Sequence, residues 1–135
     1  MSTEDTLIDQ MRLRARWVTG RGIWERDVSD PRVETAVSDA KLFWDQVKKD
    51  VCTPDIYGGT TCNPDDILIL NWTYVRGPGQ WAQLRIRFKG DGTCDLLWNG
   101  WNEAPHRHDG IPVAQLAQFD VPRKVKMLQK PTIGD

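Results

Sequence analysis

The chain's two histidines stand together in His106-Arg107-His108-Asp109. An imidazole can serve as general base with Asp109 or Glu103 orienting it, and Arg107 can steady an anionic transition state. Those are the parts of a small hydrolase or nuclease. The same residues fit a solvated polar loop just past a strand end, and that blander reading is preferred because nothing in the spacing selects catalysis. A second constellation, Trp81, Gln83, Arg85, Arg87 and Lys89, alternates along one strand and places an aromatic ring and three cations on one sheet face. Such faces bind single-stranded nucleic acid by stacking and phosphate contact. An ordinary solvated sheet face whose cations deter edge pairing explains the pattern more simply and is the preferred reading. Zinc would need three or four ligands, and Cys52, Cys62, Cys94, His106 and His108 supply enough donor atoms. Their spacing contains no Cys-x-x-Cys pair, and Cys94 shares a strand face with Leu96 and Trp98, so a buried apolar role is expected and neither metal nor cofactor is assigned.

Seven tryptophans in 135 residues exceed what a core this small needs. Trp17, Trp44, Trp72 and Trp98 suit clamping of helices onto a sheet. Trp24, Trp81 and Trp101 are candidates for partial exposure, and exposed Trp near Arg is the composition of protein-interaction hot spots. Trp98-Asn99-Gly100-Trp101 at a turn is the most suggestive patch. The candidate binding surface is therefore Trp81, Trp98 and Trp101 with Arg85 and Arg87. No nucleotide-binding glycine fingerprint, phosphate loop or serine nucleophile elbow is present.

Elements able to carry these residues can be read from spacing. Asp30 caps and Pro31 opens a helix whose apolar positions Val33, Ala36, Val37, Ala40, Phe43, Trp44, Val47 and Val51 form one broad face. Before it, Leu7, Ile8, Met11, Ala15 and Val18 recur at helical spacing towards Gly20, while Arg12 to Trp17 also alternates with period two and Thr19-Gly20-Arg21-Gly22 can turn a hairpin. Both readings of residues 11–27 stand. Residues 52–65 read as a long surface connection. Asp66 to Val75 is a buried strand. Gly77-Pro78-Gly79 turns, Leu84, Ile86 and Phe88 alternate with polar neighbours, Gly90-Asp91-Gly92 turns again, and Cys94, Leu96 and Trp98 continue a meander. Asn102 to Gly110 is expected as a loop, Pro112 to Phe119 as a short helix stopped before Pro122, and Val125, Met127 and Leu128 as an edge strand.

The length suits one domain, 1–135, and 39% apolar with 27% charged residues is ordinary globular usage. A net charge of -1 argues against indiscriminate polyanion binding. Three cysteines cannot close a disulfide framework, and Met1 to Gln10 is acidic and polar, so a cytoplasmic protein without a membrane partner is expected, with any Cys52–Cys62 bridge kept open.

Leu68 to Leu128 resembles the XisI-type element-excision factors in its Trp-bearing strand, the second strand closed by Gly90-Asp91-Gly92, and Phe119-Asp120-Val121-Pro122 ending a short helix. The same meander with its Asp-Gly turn is similar to small bacterial immunity proteins of the polymorphic-toxin systems. The resemblance implies an interaction protein and carries no catalytic residue over. The expectation is thus an α+β domain, N-terminal helices on a short antiparallel β-meander with a short C-terminal helix. It would act as a non-enzymatic protein-binding module, immunity- or antitoxin-like. The alternatives are a hydrolase or nuclease using His106, His108 and Asp109, and a single-stranded nucleic-acid binder or element-excision-like factor.

Overall fold

Asp30 and Pro31 start the strongest element for the reason the sequence suggests. In the computed structural model, which describes residues 3–19, 23–26, 29–60, 63, 65–100 and 104–129, the Asp30 carboxylate accepts from the Arg32 amide at 3.0 Å. The helix that follows, α2 (Pro31–Val47), buries Val33, Ala36, Val37, Ala40, Phe43, Trp44 and Val47. Hydrogen bonds from the Arg32 side chain and amide hold the Asp30 carboxyl below its ordinary range.

The N-terminal ambiguity resolves into both readings at once. A helix, α1 (Thr3–Arg16), buries Leu7, Met11 and Ala15 four residues apart, and it passes into a short ribbon, β1 (Trp17–Thr19) and β2 (Ile23–Glu25). Arg26 closes the junction. Its Nε donates to the Ala15 carbonyl at 3.0 Å, its amide to the Arg16 carbonyl at 2.8 Å, and its Nη2 to the Asp66 carbonyl at 3.0 Å. A cation thus satisfies orphan carbonyls at the negative end of α1 and ties the ribbon to the chain entering the large sheet.

The connection 52–65 is not structureless. It contains β3 (Asp55–Tyr57) and β4 (Gly59–Thr60). β4 runs parallel to β1, completing a three-stranded sheet ordered β2-β1-β4. Side-chain carbon at Gly59 would lie 2.5 Å from Arg26 Nη2 and from the Asp66 carbonyl oxygen, so only glycine allows this approach.

The large sheet is antiparallel and ordered β3-β5-β6-β7-β8, built from β5 (Leu68–Gly77), β6 (Gln80–Phe88), β7 (Thr93–Asn99) and β8 (His106–Pro112). Leu68, Leu70 and Trp72 pair with Phe88, Ile86 and Leu84, which pair onward with Cys94, Leu96 and Trp98. Cross-strand partners share a face, so these rows form one continuous apolar surface. Helices cover it, with the Phe43 ring 6.2 Å from Phe88 and 6.5 Å from Trp72.

Two expectations fail at the C-terminal end. His106 to Gly110 is not a loop but most of β8, an edge strand whose polar residues pair with β7. Val125, Met127 and Leu128 do not form a strand: after the 3-10 helix Val113–Phe119, Asp120 adopts φ 48° and the chain enters α3 (Val121–Gln129). Val121, Val125 and Leu128 are buried at helical spacing, and Pro122 sits in the first turn, where its missing amide costs nothing. The result is an α+β fold with a short C-terminal helix. Among the described residues, no helix is long and apolar enough to cross a membrane.

Candidate functional site

The large sheet's second face is the one that alternation turns away from the helices. Asn71, Thr73 and Val75 pair with Arg85, Gln83 and Trp81, and Arg85 pairs with Leu97, which pairs with Arg107. Asn71 anchors this face although it is only 3% exposed. Its Oδ1 accepts from Gln83 Nε2 at 2.7 Å and from Arg85 Nε at 3.4 Å, and its Nδ2 donates to Thr73 Oγ1 at 2.6 Å. A buried amide with such partners fixes the side chains around it.

Carboxylates hold most of the neighbouring cations. Lys89 Nζ lies 3.6 Å from Asp66 Oδ1 and 3.3 Å from Asp95 Oδ2, and Arg87 Nε lies 3.9 Å from Asp66 Oδ2. Arg107 Nε donates to Asp109 Oδ1 at 2.8 Å. Arg85 is the exception, with no carboxylate partner among the described residues. Between Arg85, Arg87, Leu97 and Arg107 the surface dips by only about 20 Å³, room for one water, so the face suits a broad contact rather than a small ligand. At the β5–β6 end, Val75 is 68% and Trp81 47% exposed.

The residues singled out from sequence therefore divide. Trp81, Arg85 and Arg87 share the open face. Trp98 does not join them: it pairs with Leu84 on the covered face and is 4% exposed, because its position on β7 has the parity of Cys94 and Leu96. Trp101 and Glu103 lie outside the described residues, as does Cys62, so the expectation that Cys52 and Cys62 stay unbridged falls outside them too.

β8 divides the histidine constellation in the same way. His106 pairs with Trp98 and His108 with Leu96, so both imidazoles lie on the helix-bearing side of the sheet, whereas Arg107 pairs with Leu97 on the open side. Asp109 bonds Arg107 rather than orienting an imidazole. A bulge follows, in which Gly110 adopts φ 67° and its amide donates to Asp95 Oδ1 at 2.9 Å. His106 and His108 instead border a groove of about 290 Å³ with Phe119, Arg123 and Lys124.

Burial pushes the Cys94 thiol up to about 12, with Asp95 and Asp39 adding to the effect, so it is an inert core side chain at neutral pH. Among the described residues, no three His, Cys, Asp or Glu side chains gather into a group that would hold a metal. Sequence reasoning missed an open cleft of about 700 Å³ between α1, the end of α2 and the edge strand β3, lined by Leu7, Trp44 and Ile56 together with Arg14 and Lys48. Its β3 wall is set by the pairing of that strand with β5, and a three-residue strand leaves no local pattern to read.

Comparison with protein-family models, with curated proteins and with solved structures finds no match.

Proposed function

We propose that this chain is a non-enzymatic module that binds a partner protein through the open face of its five-stranded sheet. The observation that carries the reading is the cross-strand pair Val75 and Trp81, 68% and 47% exposed, on the same face as Arg85, which has no carboxylate partner among the described residues. An accessible ring and, further along the same strand face, an arginine held by Asn71 combine low ordering cost with an unfilled charge, the make-up of a binding hot spot. The partner it fits is a protein presenting carboxylates beside an apolar patch. The target of an immunity- or antitoxin-like inhibitor is one such protein, and the odd cysteine count is in keeping with a cytoplasmic setting.

Single-stranded nucleic acid is the second candidate for the same face, since a ring and cations share it. Charge favours protein. Arg87, Lys89 and Arg107 are already engaged by Asp66, Asp95 and Asp109, so a phosphate chain would meet three carboxylates along with the cations.

Affinity capture from the native lysate after nuclease treatment, run in parallel with wild type, Trp81→Ala and Arg85→Ala, tests the reading. A stoichiometric protein retained by wild type should be weakened by Trp81→Ala about 30-fold, the loss expected for a hot-spot ring worth about 2 kcal/mol. A partner held equally by all three proteins would exclude this face, and capture that disappears with nuclease would move the assignment to nucleic acid.

A further inference from the structure

We infer a second binding site, for a small oxyanion, in the groove between β8 and α3 on the helix-bearing side of the sheet. Its floor is Trp98, its walls are His106 and His108 from β8 and Phe119, Arg123 and Lys124 from the chain entering and forming α3, and its volume is about 290 Å³. The site is independent of the proposed docking face, because strand alternation sets His106 and His108 opposite to Arg107.

Charge is the first argument. Arg123 and Lys124 are fixed cations, and two imidazoles that can donate hydrogen bonds stand across from them. Among the described residues, no carboxylate lines the groove. Asp120, the acid that precedes α3, forms an ion pair with Arg123, its Oδ2 3.2 Å from Nε, which leaves the remaining guanidinium donors for a ligand. Asp109 is turned to the other face by its bond to Arg107. The chain as a whole carries -1, so this local excess of positive charge is not a general property of its surface. The same charges argue against a divalent metal on the His-x-His pair, because two fixed cations would repel it.

Preorganisation is the second argument. Lys124 Nζ donates to the Phe119 carbonyl at 2.6 Å and lies 6.0 Å from the Trp98 ring centroid, so its ammonium is held at the groove with donors to spare. The His108 ring is 4.8 Å from that of Phe119, which restrains the imidazole. Side chains fixed before binding lose little entropy when a ligand arrives. The volume falls just under the roughly 300–1,000 Å³ of drug-sized pockets, so the ligand is a phosphate or carboxylate on a compact organic group.

The test is an amide-resolved NMR titration of the full chain with inorganic phosphate and, separately, with acetate. Saturable shifts confined to His106, His108, Phe119, Arg123 and Lys124 are expected, with a dissociation constant on the order of 1 mM or tighter for the stronger probe. Preference for phosphate or for acetate identifies which oxyanion the groove takes. Arg123→Gln should weaken binding about tenfold, the loss expected for one charge-assisted hydrogen bond. His108→Gln is a second variant on the opposite wall and should act in the same direction, with thermal unfolding confirming that each variant is folded. Absence of saturable shifts with both probes would overturn the site. So would shifts centred on Arg85, Arg87 and Arg107, or binding that both variants leave unchanged.

Discussion

One strand, β6, serves two surfaces that obey opposite rules. Its residues Ala82, Leu84, Ile86 and Phe88 are all fully buried, while Trp81, Gln83, Arg85 and Arg87, interleaved with them, are exposed or half-buried. On the covered side the rings of Phe88, Phe43 and Trp72 fill space between sheet and helix, and their energetic value is volume. On the open side Asn71 organises Thr73, Gln83 and Arg85 by hydrogen bonds, and the value of these side chains is orientation. The lesson is that the fold depends on the first set and leaves the second free for a partner. Trp81 and Trp98 make the point within a single residue type. Both are tryptophans of the meander, and parity alone puts one in contact with solvent and the other in the core.

The largest effect should come from emptying the covered side. Phe88→Ala is expected to cost about 3–5 kcal/mol in urea unfolding, through lost transfer energy and the cavity left behind. Trp81→Ala should change stability by no more than about 0.5 kcal/mol, since an exposed ring fills no cavity. Equal destabilisation by the two would break the contrast, because it would mean that the open face is part of the core. Arg26 sharpens the contrast from another direction, as a polar residue, 3% exposed, that belongs with the covered set. Arg26→Met keeps much of its bulk but leaves the Ala15 and Asp66 carbonyls without their side-chain donor, at a cost of about 1–3 kcal/mol. If Arg26→Met proved neutral, the guanidinium would not be what joins the small sheet to the large one.

What could be read from the sequence follows the same division between buried and exposed. The helix from Pro31 and the strand holding Leu84–Phe88 were legible because burial of one face writes a period into the residues, and Leu68–Trp72 because a nearly unbroken apolar run marks a strand buried on both sides. β8 was not, because as an edge strand it is exposed from His106 to Gly110 and has no apolar side to repeat. α3 was misread since Val125 and Met127 also fit a period of two, and only Val121, placed by the Asp120 turn, completes the helical set with Val125 and Leu128. β3 and β4 are three and two residues long and find partners far along the chain, so no local pattern announces them. The candidate site divides likewise. The shared face of Trp81, Arg85 and Arg87 follows from alternation, whereas the groove that joins His106 and His108 to Lys124 requires α3 to be placed against the sheet. Arg26 carried no signal beyond its charge, because its role depends on the Ala15 and Asp66 carbonyls converging from distant parts of the chain.

The smallest expected effect lies at the rim of the covered side, where the contrast between volume and orientation meets a single carboxylate. Asp39 of α2 takes a hydrogen bond from the Gly92 amide, yet its Oδ2 is enclosed with no partner among the described residues. Burial raises its pKa above the ordinary 3.8, and Asp91 nearby adds to the rise, while the Gly92 amide partly offsets it. A carboxyl whose pKa is raised by folding binds its proton more readily in the folded chain. At neutral pH its charge therefore opposes folding, and that opposition fades as pH falls through the raised value towards 3.8. Asp39→Asn, which removes the charge and retains an acceptor for Gly92, should be more stable than wild type at about pH 7, and the advantage should shrink as the pH is lowered. Asp30 and Asp91, both held low by hydrogen bonds, contribute stability that is lost on acidification, so the measurement is the difference between variant and wild type in urea unfolding at each pH. A difference that stayed constant with pH would show that Asp39 reaches solvent freely, and that the covered side ends one helical turn short of it.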